Sequence, residues 1–316
     1  MNSFAPIALF TYNRLAETRE TLEALRLNDL AKNSDLFIFS DGPKNEAGRE
    51  AVQRVRNYLK TVDGFKSVSL IESAENKGLA RSVIEGVDQV LSRYSQIIVL
   101  EDDLVTAPNF LNYMNEALDF YRHEQGVQSI SAYSLWLGKS SSKYYFQTRP
   151  ASWGWATWKD RWDSEIFDKK KIQTELDKSP ALLKQFAKSC GNDISRMLLD
   201  SLCGKNDSWY VRWTYNHYKT KRYALYPARS FVTNIGHHEN ATHCKGINTY
   251  VSELVDPGIS SFDFPLFQPP DQLTNRQFLN YFKRSYKLAF RIKLLAHAYG
   301  RKQLLNEIQN RLIKNS

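Results

Sequence analysis

The sequence contains few cysteines and no long hydrophobic run. Cys190, Cys203 and Cys244 are its only cysteines, and their spacing matches no zinc motif. An odd number of thiols without metal-type spacing predicts reduced cysteines in a cytosolic protein. No apolar stretch approaches the roughly 18–20 residues that a transmembrane helix needs, and residues 1–6 lack the basic and apolar parts of a secretory signal. We therefore expect a soluble cytoplasmic protein.

Two common phosphate-binding motifs are also missing. No G-x-G-x-x-G follows the first predicted strand, which argues against a dinucleotide-binding Rossmann enzyme. No G-x-x-x-x-G-K-[ST] occurs anywhere, which argues against a P-loop NTPase. A nucleotide bound by this chain would have its phosphates held by a metal ion and by side chains.

Acidic residues are almost absent from the C-terminal segment. Residues 276–316 contain ten Lys or Arg and the single acid Glu307, so this segment carries the whole net charge of +9. The preceding 275 residues are neutral, with 33 basic and 33 acidic residues. A partner that the basic tail attracts by charge therefore need not bind the neutral body.

Strands and helices alternate over the first 120 residues. Short apolar runs rich in β-branched residues predict buried strands at 6–12, 35–40, 68–71 and 97–100. Apolar residues with helical spacing predict helices after each of them. This order is typical of an α/β protein with a mostly parallel, Rossmann-like sheet and flanking helices.

Polar side chains follow each predicted strand. They are Asn13 with Arg14, Asp41, Asn76 with Lys77, and Glu101-Asp102-Asp103. In an open α/β sheet these strand ends lie along one edge, where ligands bind. Three adjacent carboxylates repel one another unless a cation lies among them, and a hard divalent cation suits oxygen ligands. A solvated acidic turn is the alternative for the triplet alone, and the other strand ends favour the metal site.

Aromatic residues and histidines dominate the second half. Four Trp stand at 153, 155, 158 and 162, and core packing and a platform for sugar rings remain equally open for them. Residues 166–202 have a polar, helical pattern that predicts a covering subdomain. The loop 236–243 holds three of the six His, and it either supplies a metal or phosphate contact or is a solvated loop.

Several short motifs occur in an order that resembles a known family. They are FTYNR at 10–14, DG at 41–42, NKGLAR at 76–81, EDDL at 101–104 with APNF at 107–110, WGW at 153–155, the Trp pair 209 and 213, and NIG at 234–236 with TH at 242–243. Together, over about residues 5–245, they resemble nucleotide-sugar glycosyltransferases of the GT-A fold. The chain is most similar to the N-acetylglucosaminyltransferase I type and to bacterial glycosyltransferases of surface-polysaccharide synthesis.

The resemblance implies a domain plan and a reaction. A GT-A catalytic domain would span 1–265, with a donor-binding half at about 1–125 and an acceptor-side half at about 126–265, and a basic helical tail would span 266–316. The implied enzyme is a metal-dependent, inverting hexosyl- or N-acetylhexosaminyltransferase. It would move a sugar from a nucleoside-diphosphate sugar, UDP-linked by preference, to a saccharide acceptor in bacterial surface polysaccharide or lipopolysaccharide synthesis.

The resemblance also implies roles for individual residues. Donor-binding residues would be Thr11, Tyr12, Asn13, Arg14, Asp41, Lys77, Gly78, Arg81, Glu101 and Asp102. Arg14 would contact the diphosphate and Asp41 the base or ribose. Asp103 would bind Mn²⁺ or Mg²⁺, with His243 as a further metal or diphosphate contact, and Trp153, Gly154 and Trp155 would lie on the acceptor side.

The chain departs from the family pattern at the catalytic base. Relatives carry an Asp directly after the Trp that corresponds to Trp209, and this chain has Tyr210 there. A phenol with a pKa near 10 is a poor base at neutral pH. Asp207 is the first substitute that we consider, and Glu239 is the second.

The tail is open to three interpretations. A basic amphipathic helix in 276–316 would lie on an anionic membrane, which places the protein at the inner face of the plasma membrane, where lipid-linked acceptors occur. The helix could instead pack on the catalytic domain or form a homodimer.

Two other function classes compete with a glycosyltransferase. A sugar nucleotidyltransferase would show a Gly-rich basic loop after the first strand, and residues 10–14 are not one. A non-enzymatic module that uses the tail to bind membrane or nucleic acid leaves the neutral body unexplained. We therefore predict a nucleotide-sugar enzyme with no nucleic-acid partner.

Overall fold

Four parallel strands form one half of the central sheet. The computed structural model describes residues 4–135, 137, 143–236, 252 and 254–296. The parallel strands are β1 (Ile7–Thr11), β2 (Asp35–Ser40), β3 (Ser67–Glu72) and β4 (Gln96–Glu101). The helices that follow them are α1 (Leu15–Arg26), α2 (Glu46–Leu59), α3 (Leu79–Leu91) and, after a short strand β5 (Leu104–Thr106), α4 (Phe110–Phe120). The predicted α/β fold class, with a large sheet and flanking helices, is confirmed.

The other half of the sheet is mixed. Its strands are β6 (Val127–Ser131), β7 (Tyr144–Gln147), β8 (Trp155–Trp158) and β9 (Tyr223–Pro227), and the strand order across the whole sheet is β3-β2-β1-β4-β8-β6-β9-β7. β8 runs antiparallel to both β4 and β6, so the parallel arrangement stops at β4. No sequence pattern predicted β7 and β8, because each has only four residues and no alternation of polar and apolar side chains.

A two-stranded ribbon lies beside the sheet. β10 (Val232–Asn234) pairs antiparallel with β5, so that Asn234 is opposite Leu104. The pairing places residues 234–236 next to the acidic triplet that ends β4. Two segments that are 130 residues apart in sequence thus meet at one strand end.

The predicted covering subdomain consists of three helices on a fourth. They are α5 (Lys169–Lys178), α6 (Ala181–Cys190) and α7 (Asn192–Leu202), and they pack on α8 (Trp209–Thr220). Phe186, Ile194 and Leu198 are fully buried there against Val211 of α8. The subdomain therefore has its own apolar core and holds the start of α8 in place.

The beginning of the basic tail folds into two short helices. α9 (Gln272–Asn280) buries Phe278, which is 1% exposed, against Tyr226 of β9. α10 (Arg284–Leu295) follows, and none of its side chains that the structure describes is fully buried. Packing on the body, one of the three interpretations of the tail, therefore holds for α9. Among the described residues, no helix has both the length and the apolar character needed to cross a membrane.

Candidate active site

A cleft of about 370 Å³ opens at the edge of the sheet where β1, β2 and β4 end. Ten residues that the sequence predicted for the site line this cleft: Thr11, Tyr12, Arg14, Asp41, Gly78, Glu101, Asp102, Asp103, Trp153 and Asp207. They come from distant parts of the chain and meet because parallel strands end on the same side of a sheet. The cleft is thus the candidate site.

One guanidinium bridges two of the three adjacent carboxylates. Arg14, directly before α1, forms ion pairs with Asp102 and, at 3.0 Å, with Asp103. The backbone N–H of Tyr12 donates to the second oxygen of Asp102 at 3.3 Å. Burial by itself would lower the pKa of Arg14, but the two carboxylates raise it above its ordinary value. Arg14 is therefore a fixed positive charge at this strand end.

A single cation does not balance the triplet. Burial raises the pKa of Glu101 to about 8, and repulsion from Asp103 and Asp102 acts in the same direction. Burial also raises the pKa of Asp102 to about 6, against the opposing effect of Arg14. Carboxylates gathered with too little positive charge are a common feature of sites that bind a further cation.

The residues present fit Mn²⁺ or Mg²⁺ in chemistry. Asp102 and Asp103 offer the hard oxygen ligands that both ions prefer. They hold these oxygens in a cleft that has less positive than negative charge. The part of the chain that the structure describes contains no group of three His, Cys, Asp or Glu that would complete a metal site. His243, the other predicted ligand, lies outside the described residues, as does Glu239.

Gly236 closes over Asp103. The backbone N–H of Ile235 donates to the carbonyl of Asp103 at 2.9 Å, which holds the end of the β5–β10 ribbon against the triplet. A Cβ atom at Gly236 would lie 2.1 Å from Oδ2 of Asp103 and 3.0 Å from a nitrogen of Arg14. Only a residue without a side chain allows this approach.

Asp41 organises the loop that follows β3. One carboxylate oxygen accepts from the N–H groups of Gly42 and Lys77, at 2.9 and 2.8 Å. The other accepts from the side-chain amide of Asn76 and the N–H of Gly78, at 3.0 and 2.9 Å. Asp41 thus shapes one wall of the cleft, and its contact with the base or ribose stays a prediction.

Two predicted donor-binding side chains lie elsewhere. The ammonium of Lys77 is 2.7 Å from a carboxylate oxygen of Glu85, and Nε of Arg81 is 2.6 Å from the other oxygen. Both side chains turn onto α3, because Glu85 lies within one or two helical turns of them. Their place in the nucleotide pocket stays a prediction, and the N–H of Lys77 contributes to the wall of the cleft through Asp41. Asn13 is not among the residues that line the cleft.

The three predicted acceptor-side residues have different positions. Trp153 lines the cleft and stays a candidate platform. Trp155 is 1% exposed and stacks between Trp162 and Trp209 at centroid distances of 5.6 and 5.3 Å, so its assignment to the acceptor site is corrected to core packing. Gly154 supplies the turn between them: its φ is +64°, in the left-handed region that favours glycine.

Asp207 lies in the cleft, and Tyr210 does not. Asp207 stands before Ser208, the N-cap of α8, and Oδ1 accepts from Arg212 and from Lys169, each at 2.9 Å. The hydroxyl of Tyr210 accepts from Nε of Arg149 at 2.9 Å and donates to the carbonyl of Pro150 at 3.1 Å. Burial raises the pKa of Tyr210 above its ordinary value. The residue that replaces the expected Asp is therefore a structural group.

The comparison with protein families decides where the chain belongs. The family model described as "Glycosyl transferase family 2" matches residues 7–180, which is more than half of the chain. The chain belongs to glycosyl transferase family 2. The match confirms the resemblance to nucleotide-sugar glycosyltransferases. It runs from the start of β1 to the residue before α6 and includes the triplet, whereas Asp207 and Gly236 lie beyond it.

Solved structures show weak likeness to this family 2 chain. The mannosyltransferase PcManGT from Pyrobaculum calidifontis, in complex with GDP-Man and Mn²⁺, is 13% identical over 49% of this chain and 45% of its own, with a TM-score of 0.32. Residues 1–349 of S. aureus TarS are 11% identical over 72% of this chain and 59% of that chain, with a TM-score of 0.41. The chain thus spans less than two thirds of either structure, and TM-scores this low support no residue-by-residue transfer. No curated protein matches the chain at a significant level.

The family 2 cleft also contains residues that the sequence did not single out. Lys44, in the loop after β2, lines the cleft and is exposed. Each cationic side chain that the sequence predicted for the site is paired with a carboxylate. In contrast, no ion pair joins Lys44 to another described residue. Its backbone N–H donates to the hydroxyl of Tyr12 at 3.2 Å, which holds its loop beside β1. A turn lysine has no sequence signal of its own, so only the structure reveals it.

Proposed function

We propose that this family 2 protein is a metal-dependent glycosyltransferase that inverts the anomeric carbon. The donor would be a nucleoside-diphosphate sugar, UDP-linked, and the acceptor a saccharide of bacterial surface polysaccharide or lipopolysaccharide synthesis. The transferred group would be a hexosyl or N-acetylhexosaminyl residue. The single observation that supports this most is the meeting of Arg14 with Asp102 and Asp103 in a cleft at the strand ends.

The chemical problem in this reaction is the leaving group. As the anomeric C–O bond breaks, negative charge develops on the nucleoside diphosphate, and the positive charge of Mn²⁺ or Mg²⁺ held in the cleft would offset it. Asp103 and Asp102 would hold that ion. Arg14 keeps the two carboxylates in place, and Lys44 provides a cation near the diphosphate that no described carboxylate engages.

Asp207 is our candidate for the base that deprotonates the acceptor hydroxyl. A base must be an ionised group within hydrogen-bond reach of that hydroxyl. Asp207 is in the cleft, and its ion pairs with Arg212 and Lys169 fix its orientation. Tyr210 cannot take this role, since its hydroxyl is already bonded on both sides.

A nucleotide screen tests the donor assignment. The unfolding temperature is measured with UDP, GDP and dTDP, each with and without Mn²⁺. We expect UDP with Mn²⁺ to stabilise the protein, because a ligand that binds only the folded state raises its stability. If no nucleotide stabilises the protein with metal, the proposal is wrong. If GDP or dTDP stabilises the protein instead of UDP, only the predicted nucleobase of the donor is wrong.

The base assignment is tested by two substitutions and a control. Asp207→Asn should lower kcat by about 10²–10⁴-fold, the usual contribution of a general base. Asp177→Asn, an exposed carboxylate in α5, should leave kcat unchanged. Normal turnover in Asp207→Asn together with loss of turnover in Glu239→Gln would assign the role to Glu239.

We also propose that the acceptor is lipid-linked and that the enzyme works in the cytoplasm, at the inner face of the plasma membrane. The support for this placement is the basic tail, in which residues 272–296 contain six Lys or Arg and no acid.

A further inference from the structure

The two tail helices differ in how they sit on the body. Phe278 of α9 is buried. Phe282 follows α9, and the centroid of its ring lies 3.6 Å from the guanidinium carbon of Arg149. Arg149 is itself held by Asp193 through two hydrogen bonds of 2.9 and 3.1 Å. α9 and the residue Phe282 are therefore fixed to the catalytic body through the aromatic contact of Phe278 with Tyr226 and the cation–π contact of Phe282 with Arg149.

α10 turns large apolar side chains toward solvent. Leu288, Ile292 and Leu295 are 60%, 58% and 53% exposed. They are spaced four and three residues apart, so they form one stripe on the helix surface, which we call the α10 stripe. A surface helix of a soluble protein normally buries such a stripe against the core, whereas α10 exposes it to solvent.

The stretch of sequence that carries the stripe is basic and contains no acid. Arg276, Lys283, Arg284, Lys287, Arg291 and Lys293 are the charged residues of 272–296, and Arg284 and Lys293 are exposed. An apolar stripe with a basic border matches a surface that is apolar inside and negatively charged at its boundary. An anionic lipid bilayer has this structure, with acyl chains below phosphate head groups.

Other occupants fit the α10 stripe less well. A second copy of the chain would bring two basic borders together around one axis, with no acidic residue of 272–296 to balance them. A nucleic acid would match the charge and would leave Leu288 and Ile292 in water. Charge and apolar exposure together therefore favour the bilayer.

We propose that α10 lies on an anionic bilayer, with the α10 stripe in the acyl boundary and the basic side chains at the phosphates. α9 and Phe282 then connect this membrane contact firmly to the catalytic body. The inference deepens the membrane placement given under the proposed function, because it names the helix and the face that make contact.

Vesicle sedimentation of the full chain tests the inference without any enzyme assay. Vesicles of phosphatidylcholine alone are compared with vesicles that also contain phosphatidylglycerol, at low and high salt. We expect binding to the anionic vesicles only, weakened by salt. Leu288→Ser with Ile292→Ser should reduce the partition constant at least about tenfold, since both side chains would leave the acyl region.

Matched variants separate this site from general surface effects. Leu27→Ser with Leu266→Ser replaces two apolar residues that are 71% and 79% exposed elsewhere, and binding should stay within about twofold of the wild type. Arg284→Gln with Lys293→Gln should weaken binding, and Lys184→Gln with Lys188→Gln on α6 should weaken it less.

Three results would overturn the inference. The first is that the wild type does not bind anionic vesicles. The second is that the stripe variant and its control bind equally well. The third is a concentration-dependent dimer that the stripe variant abolishes while vesicle binding persists. Stabilisation by nucleotide and Mn²⁺ is measured on the same variants. If it is retained while vesicle binding is absent, the membrane inference fails and the proposed reaction stands.

Discussion

Gly236→Ala tests whether the close approach of the β5–β10 ribbon to Asp103 matters for the reaction. The substitution adds one methyl group. The backbone of Gly236 lies outside the left-handed region, so alanine adopts it without strain. The effect must therefore come from the methyl group itself, which would lie 2.1 Å from Oδ2 of Asp103.

The size of the effect follows from that distance. Non-bonded heavy atoms rest at about 3.5 Å, so the methyl group or the carboxylate must move by more than about 1 Å. Arg14 blocks one escape route, because its nitrogen would be 3.0 Å from the same methyl group. A misplacement of about 1 Å in an active site costs about 10²-fold in rate, which corresponds to roughly 2.7 kcal/mol of transition-state stabilisation.

Two measurements check this prediction. The first is kcat/KM, followed as nucleoside diphosphate released from the sugar nucleotide whose nucleotide stabilises the wild type. The second is the stabilisation by nucleotide and Mn²⁺, which needs no acceptor. Gly48→Ala in α2 is the control: its Cβ would lie 3.5 Å from the nearest atom, an ordinary contact, and helical alanine is favoured over glycine.

The reasoning is refuted if Gly236→Ala keeps kcat/KM within about threefold of the wild type and binds nucleotide and metal normally. A large loss of unfolding temperature without nucleotide would point to a folding defect instead. The described end of the ribbon lies at the rim of the cleft, so we expect that loss to be small.

Three further predictions concern single residues. Lys44→Gln should raise the KM for the donor about tenfold, the value of one charge-assisted hydrogen bond, and exposed Lys32→Gln should not change it. Trp155→Ala should lower the free energy of unfolding by about 3–5 kcal/mol in urea titrations, and a loss below about 1 kcal/mol would contradict its place in the core. Burial lowers the pKa of His217 to about 3, so this side chain stays neutral in the folded protein while it takes up a proton below about pH 6.5 in the unfolded chain. Folding stability should therefore fall as the pH drops, by about 1.4 kcal/mol more in the wild type than in His217→Gln between about pH 7.5 and about pH 5.5, and equal slopes would contradict the assignment.

Local patterns were sufficient to predict the parallel half of the sheet and the residues at its strand ends. Each strand from β1 to β4 is a short apolar run, and the first polar residue after it lies at the sheet edge, so the meeting of Arg14, Asp41 and the triplet follows from strand order. The start of α8 was also predictable, because Ser208 is a helix N-cap.

The sequence could not predict the role of a long side chain where that role depends on which residue the side chain contacts. Lys77 and Arg81 carry the charges that a diphosphate needs, yet Glu85 takes both of them. Trp153 and Trp155 belong to one motif and differ in burial, because Gly154, with a φ of +64°, turns the chain between them just before β8 begins. Sequence spacing records none of these choices.

The sequence by itself determined the parallel strands β1 to β4, the sheet edge at which they end, and the acidic and basic groups available there, because apolar runs and the order of elements along the chain are local properties. Only the tertiary structure decided which of those groups face the cleft, that Tyr210 is locked to Arg149, and that α10 exposes its apolar stripe. These outcomes depend on contacts between residues far apart in sequence, where ion pairing and packing select one arrangement among several that the same residues allow.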